Sequence, residues 1–564
     1  MKLKKLKDDN IKAIICIFIL FSITLVVFQY TVEIREPWFG ELSSDPYSHQ
    51  WLTGSTLEFS ENWYREGPLN WGFVMLETPA SIEFTNSSSR EPYLSYLPGS
   101  IIPIYTLSKV TGTEPNASLV MGYNLFNHFT IALLLSLLIF VFLRQIKIDY
   151  LNSFLFATIP IFLELLLPGP LYWHQNVFFA DQAVILPFVL YIFLEIIRDG
   201  PNCKYAKVLC ILQNLVLFYG IFTDWLFVFI ALTVYLKRIF EGKIKFSINI
   251  GIFLKENIKF WSAPLLAAAL YLTQIFFFNQ MKNIIRNFFY RSGLSTEGSQ
   301  ILTTGSVVIS NGLTVFIAYI IIGYGEIGLY ALCFSFAILV VLVWFILSEK
   351  ILKKDSNVEI KRICALMAIL LIPCILQVLV FRNHSIIHTF SVLKFSVPLT
   401  TIPFVLCPIS IYLILKRKVK LPNINLGLFK NLKVDFGLLI IFLMVFTITS
   451  FYVVNEHPNY KEIFPETNHS LQVLGDSIQK NTQYSDVVFS PDFEIKSHPP
   501  QQLAYSMKKV YKINSTEDIG NYTRGLSGYH VVIMFIGHPS KEWEIELVNA
   551  SMVQDGDYYY YRLN

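Results

Sequence analysis

The N-terminus reads "MKLKKLK" (Met1–Lys7), and "IKAIICIFILFSITLVVFQ" (Ile11–Gln29) follows almost at once. The apolar run exceeds the ~7–15 residues of a signal-peptide core and has no small-residue cleavage site. It therefore reads as an uncleaved membrane span with Lys2, Lys4, Lys5 and Lys7 held on the cytoplasmic side. The rest of the 564 residues extends that theme: 54% are hydrophobic and only 15% charged, against roughly 25% charged in soluble domains. Runs able to cross ~30 Å of hydrocarbon lie near 11–29, 118–143, 151–167, 177–197, 206–221, 224–240, 260–279, 303–323, 326–348, 362–381, 391–415 and 436–454.

Charge orients these runs. The basic loops "RQIK" (144–147), "KRIFEGKIK" (237–245), "EKILKKD" (349–355) and "KRKVK" (416–420) belong inside. The loop 30–117 carries eleven acidic and four basic side chains and belongs outside. Seven N-x-[ST] sites, at Asn86, Asn116, Asn383, Asn468, Asn514, Asn521 and Asn549, fall on that same outer side. Twelve crossings would leave the C-terminus inside, contrary to the last basic loop and the last sequons. The weakest run, 303–323, is accordingly expected to be re-entrant or to lie on the membrane surface, leaving eleven crossings; a split span would give thirteen. None of the seven cysteines lies in an outer loop and no CxxC pair occurs, so neither a disulfide framework nor a zinc signature is expected.

The expected fold class is thus a polytopic α-helical membrane protein with about 11–13 transmembrane helices. Residues 1–454 form the membrane domain, with external loop 30–117. Residues 455–564 form a small external α/β domain, because "DVVFS", "YHVVIMFIG" and "DYYYYRL" alternate with helix-like stretches.

Several groups could do chemistry. In "GELSSDPYSHQW" (Gly40–Trp51), Glu41 and Asp45 stand just beyond the first span with His49. Either carboxylate could act as a general base or bind a divalent cation; a merely solvated acidic loop is the plain alternative. Asp181 lies inside an apolar run in "PGPLYWHQNVFFADQ" (Pro168–Gln182), where an unpaired carboxylate is costly and calls for a cavity or a partner. His174 and Gln175 read there as interfacial polar residues beside Trp173. Asp224, in "GIFTDWLF", is an acid at an outer hairpin or simply a helix cap. Cations also gather on the side that disfavours them: Lys282, Arg286 and Arg291, then Arg382, His384, His388 and Lys394. Lys282 and Arg286 share a helical face. A phosphate ester at the membrane surface would satisfy such a set, with Arg382 and the two histidines the sharper group and lipid snorkelling the alternative. Tyr93 and Tyr96, in "REPYLSYLPGSIIPIY" (Arg90–Tyr105), suit an aromatic interfacial segment.

Together these features resemble the GT-C superfamily of integral membrane glycosyltransferases. "DPYSHQW" (Asp45–Trp51) is similar to the Asp-Pro-Tyr-x-His segment of the oligosaccharyltransferase catalytic subunit, and "YLSYLPGSIIPIY" (Tyr93–Tyr105) to the stretch before the second span of many members. "TDWLFVF" (Thr223–Phe229) and "HSIIHTFSVLKFSVP" (His384–Pro398) resemble a Trp-containing turn and the segment near the lipid phosphate. Two family features are missing: the Trp-Trp-Asp acceptor motif, and the adjacent Asp-Glu pair of protein mannosyltransferases. The resemblance implies a multi-pass cell-membrane enzyme with its active site on the outer face. It would transfer a hexose from a polyprenyl (dolichyl-type) phosphate to a lipid-linked or protein-linked glycan. Asp45 or Glu41 would be the base, and Asp181 would orient the acceptor or share a Mg or Mn ion with Asp45 if the reaction uses a metal. Arg382, His384 and His388, with Lys282 or Arg286, would bind phosphate; Asp224, Tyr93 and Tyr96 would line the substrate. No nucleic-acid partner is expected. The competing readings are a transporter or flippase of lipid-linked saccharides and a non-catalytic assembly subunit.

Overall fold

A computed structural model describes residues 2–86, 89–200, 204–244, 250–294, 312–351, 358–418, 434–464, 468–496 and 500–563. Cys203, residues 303–311 of the interrupted run, 352–355 of "EKILKKD" and 419–420 of "KRKVK" lie outside the described residues. Helix α1 (Lys2–Arg35) leads into a loop that holds α2 (Trp51–Glu66) and α3 (Ile101–Thr111). Then follow α4 (Ala117–Gln145), the pair α5 (Tyr150–Leu166) and α6 (Pro168–Asn176), bent by 59°, and α7 (Ala180–Arg198). Two short helices, α8 (Ala206–Ile221) and α9 (Leu226–Phe240), form a hairpin. After α10 (Ile250–Phe277) come α11 (Met281–Ser292), α12 (Gly312–Ile351), α13 (Val358–Val380), α14 (Arg382–Ile387), the irregular α15 (Thr389–Lys416) and α16 (Phe436–Glu456).

Among the described residues eight helices are long and apolar enough to cross a membrane, nine if the bent pair counts as one span. The chain is a multi-pass integral membrane protein. The bent pair and the two short hairpin helices occupy the places of three further runs expected to cross, but the hairpin helices fall short of a membrane span in length. The run 303–323 is different: its described part continues into α12, which is broken only at Gly325 (φ 68°). That backbone conformation (φ 68°, ψ 175°) is one that side-chain-bearing residues rarely adopt, which is why a glycine makes this break.

The bundle interior is not wholly apolar. Arg35, counted above with the acidic loop, is the last residue of α1 and is fully buried. It donates to Thr31 O (2.9 Å) and Leu171 O (3.1 Å), and its Nη1 lies 3.2 Å from His128 Nδ1. His128 stacks on His174 with ring centroids 4.8 Å apart, and His174 Nε2 is 3.7 Å from Glu164 Oε1. His174 and Gln175 therefore belong to the core, not to the interface. The kinked α5–α6 pair turns the sequence inward at the position where an amphipathic surface turn was expected.

Beyond α16 the chain forms a five-stranded sheet in the order β4-β3-β5-β7-β6, where β3 is Asp486–Ser490, β4 Val510–Lys512, β5 His530–Ile536, β6 Ser551–Asp555 and β7 Tyr558–Leu563. Two further strands, β1 (Met75–Leu76) and β2 (Pro92–Tyr93), pair in the first loop. β3 pairs in parallel with β4 and β5, and β7 runs antiparallel between β5 and β6. The tyrosine run is thus an interior strand, its β-favouring rings packed on both faces. Helix α17 (Ser470–Asn481) covers the sheet, and α18 (Pro500–Ser506) packs it against α2 so closely that a side chain at Gly54 would lie 3.0 Å from Gln501 N.

Candidate active site

Helix α2 fixes the approach to Asp181. Thr53 Oγ1 donates to Asn176 O (2.8 Å) and accepts from Phe178 N (3.0 Å), while Thr56 Oγ1 donates to Phe178 O (2.6 Å). These bonds satisfy an extended backbone inside the protein and set Asp181 in the first turn of α7. Its carboxylate is 3% exposed. Lys394 Nζ donates to Oδ1 at 3.1 Å; His384 Nε2 and Tyr96 Oη lie 3.6 and 3.5 Å from Oδ2. Tyr96 Oη is also 3.4 Å from His384 Nε2, and the Arg291 guanidinium sits 4.6 Å over the Tyr96 ring.

Each partner is held by a neighbouring helix. Cys374 Sγ of α13 donates to Lys394 O, and Tyr324 Oη of α12 donates to Val392 O (3.1 Å) and Leu393 O (3.2 Å). Tyr319 Oη reaches Ile386 O at 2.8 Å. The Tyr93–Gly99 segment is tied to α8–α10: Tyr271 Oη donates to Leu94 O (2.7 Å), Trp225 Nε1 to Ser95 O (3.3 Å) and Tyr219 Oη to Gly99 O (3.0 Å). Gly99 N meets Phe222 O at 2.8 Å, an approach that a Cβ 2.2 Å from Thr223 Oγ1 would prevent. Asn383 Nδ2 donates to Tyr290 O (3.0 Å), which anchors α11 and hence Arg291. Asn383 is thereby buried and engaged, so as a sequon it says nothing about topology.

The Asp45 segment forms the other wall. Asp45 Oδ1 accepts from Tyr47 N at 2.9 Å and caps a 3-10 turn. Tyr172 Oη, from α6, donates to Ser48 O at 2.7 Å. His49 ends the turn at φ 54°, an unusual conformation for a non-glycine residue, and its ring faces His388 (6.3 Å) and Phe390 (5.3 Å) edge-on. His388 stacks on Phe390 at 4.8 Å and lies 4.7 Å from His384. A row of rings therefore runs from the Asp45 turn to the Asp181 cluster. Burial lowers the His49 imidazole to about 4 against the opposing pull of Asp45. His388 falls to about 2 through burial and the adjacent His384, and burial lowers His384 as well. His49 and His388 are thus neutral near pH 7, while His384 Nε2 lies within reach of Tyr96 Oη.

The remaining expectations divide. Asp224 lies close enough to Asp181 that burial and that neighbour push its carboxyl up to about 6. Its Oδ1 accepts from Leu226 N (2.7 Å) and Gln377 Nε2 (3.1 Å), so capping and proximity to the site coexist. Tyr93 packs between Phe59 (5.4 Å) and Phe179 (5.8 Å) beside the cluster. Glu41 does not join it; its Oε2 is 2.7 Å from His469 Nε2 of the C-terminal domain. Arg382 is exposed and stands beside Gly312. Lys282 and Arg286 are exposed on α11.

Of the cations gathered in the sequence, Lys394 and Arg291 stand in the Asp181–Tyr96 cluster. Lys394 was legible by the argument applied to Asp181, being a single charge within an apolar run that calls for an opposite partner. As for a metal, Asp181 is neutralised by a lysine, and among the described residues no group of three or more His, Cys, Asp or Glu side chains is arranged to hold one. The donor set does not fit an ion shared by Asp45 and Asp181.

The fold built from these irregular spans, the first loop and the C-terminal sheet is also seen in solved structures. The chain shares it with the oligosaccharyltransferase of Archaeoglobus fulgidus, at TM-score 0.50 and 10% identity over 91% of this chain and 69% of that one. Two further similar structures are ArnT from Cupriavidus metallidurans bound to undecaprenyl phosphate (TM-score 0.48, 8% identity, 97% of each chain) and the Archaeoglobus fulgidus protein AglB with an inhibitory peptide and a dolichol-phosphate (0.46, 9%, 94% and 70%). No protein-family model and no curated protein matches the chain.

Proposed function

We propose that the protein is a membrane glycosyltransferase that takes a sugar from a polyprenyl-phosphate carrier and passes it to a glycan hydroxyl on the outer face of the cell membrane. The observation that carries this reading is the meeting of two permanent cations, Lys394 and Arg291, around Asp181, Tyr96 and His384. Paired cations in a low-dielectric site suit a lipid phosphate and would stabilise the charge that grows on it as it departs.

In the reaction, the acceptor oxygen attacks the anomeric carbon as the bond from that carbon to the phosphate oxygen breaks. The acceptor proton passes to the Asp45 carboxylate, and the electron pair leaves with the phosphate, held by Lys394, Arg291 and His384. A single displacement inverts the anomeric centre. Asp181 positions Lys394 and His384; Tyr96 and Asp224 line the same space. The acceptor is a lipid-linked or protein-linked glycan.

The test uses full-length protein in lipid nanodiscs with polyprenyl monophosphate, read by native mass spectrometry, alongside glycan profiling of a deletion strain. Wild type should retain the lipid, Lys394→Met and Arg291→Met should bind it at least tenfold more weakly, and Asp45→Asn should bind normally yet leave glycans one sugar short. An unchanged glycan profile with Asp45→Asn, or a wild type that ignores the lipid, would overturn the reading and favour a transporter or an assembly subunit.

A further inference from the structure

A cavity of about 320 Å³ opens beside the Asp181 cluster, between β2 and the polar face of α11. This is at the small end of the roughly 300–1,000 Å³ range of ligand pockets. Glu77, Tyr93, Ser95, Asn283, Arg286 and Asn287 supply its polar lining. We infer that this cavity is a saccharide-binding subsite, taking the neutral, hydroxyl-rich ring next to the reacting phosphate; the inference rests on the function proposed above.

The chemistry of the lining argues for it. Vicinal sugar hydroxyls each donate and accept, and planar amides, a carboxylate and a guanidinium offer both roles in fixed pairs. The amides are already in register: Asn287 Nδ2 lies 3.4 Å from Ser95 Oγ, and Asn283 Nδ2 donates to Gln280 Oε1 at 2.5 Å. The Tyr93 ring adds an aromatic wall. Burial and the nearby Glu91 push the Glu77 carboxyl up to about 7, so near neutral pH it can donate as well as accept. Ser95 links the two regions, because its carbonyl accepts from Trp225 Nε1 and from Arg291 Nη1 (3.5 Å) while its hydroxyl faces the cavity. Asn283 and Asn287 are exposed, so replacing them leaves the packed core untouched.

The experiment measures binding without turnover. Methyl hexosides, methyl N-acetylhexosaminides and methyl hexuronides are offered to the full chain in nanodiscs and followed by saturation-transfer NMR. At least one neutral class should bind, and Asn283→Ala with Asn287→Ala should weaken it at least tenfold while polyprenyl-phosphate binding is kept. Competition by polyprenyl-phosphate mannose or glucose identifies the donor ring as occupant; binding that persists beside them identifies the acceptor. If the wild type binds polyprenyl phosphate but no glycoside, or the double variant binds as wild type does, the subsite is overturned and the transferase reading stands. If neither lipid nor glycoside binds, both fall.

Discussion

At the scale of single residues, the site is governed by the cost of charge in a dry place. Lys394 and Asp181 are both almost fully buried, so neither can lose its partner cheaply. Removing one member of such a pair costs about 3–5 kcal/mol, because the other is left as an uncompensated charge. Lys394→Ala should therefore lower the thermal midpoint in nanodiscs sharply. Lys394→Met combined with Asp181→Asn should recover most of that loss without restoring carrier binding. Glu41 gives the opposite case. It is half-exposed and paired with His469, an arrangement worth about 0–1 kcal/mol at most. Glu41→Gln should shift the midpoint by a degree or two and leave sugar transfer intact; a loss of transfer as deep as that of Asp45→Asn would return Glu41 to the role of base.

Elements explain why some of this could be read from the chain and some could not. The apolar runs and the strand-like tail depend on local composition, and apart from the run 303–323, whose described part belongs to α12, the helices and strands lie where composition put them. Arg382 against Lys394 is a different matter. Both stand near the mouth of a span, and only the irregular 389–395 turn, pinned by Tyr324 and Cys374, decides which one faces Asp181. Arg291, named among the outer cations, likewise could not be singled out, since its direction depends on the Asn383–Tyr290 bond between distant segments. The 90–100 segment is set by contact with the α8–α9 hairpin, so Gly99→Ala should cost about 1–3 kcal/mol as an overpacked contact and loosen Tyr96; melting curves and carrier affinity should fall together. The ring row at the Asp45 turn makes a pH prediction. The His49 imidazole titrates near 4 when folded and near 6.5 when unfolded, so the unfolded chain takes up the proton first. The stability this ring contributes above pH 6.5 should decline as pH drops toward 4, the His49 share of the loss being complete below it. His49→Asn should flatten that decline in pH-dependent melting.

For the whole molecule, the first loop is the keystone. Helix α2 touches Asp181's approach on one side and α18 of the C-terminal sheet on the other. Gly54→Val should thus weaken both joints at once, and limited proteolysis should then cut near the C-terminal domain sooner than in wild type. The Arg35 cluster carries a different consequence, one of timing. Arg35 leaves the ribosome long before His128 and Leu171, which accept its hydrogen bonds. During biosynthesis the first segment must therefore wait, its guanidinium still hydrated, until a partner made more than ninety residues later arrives. The newborn chain is then least secure in its insertion machinery over this interval, and the final seating of its leading segment is a late event in assembly.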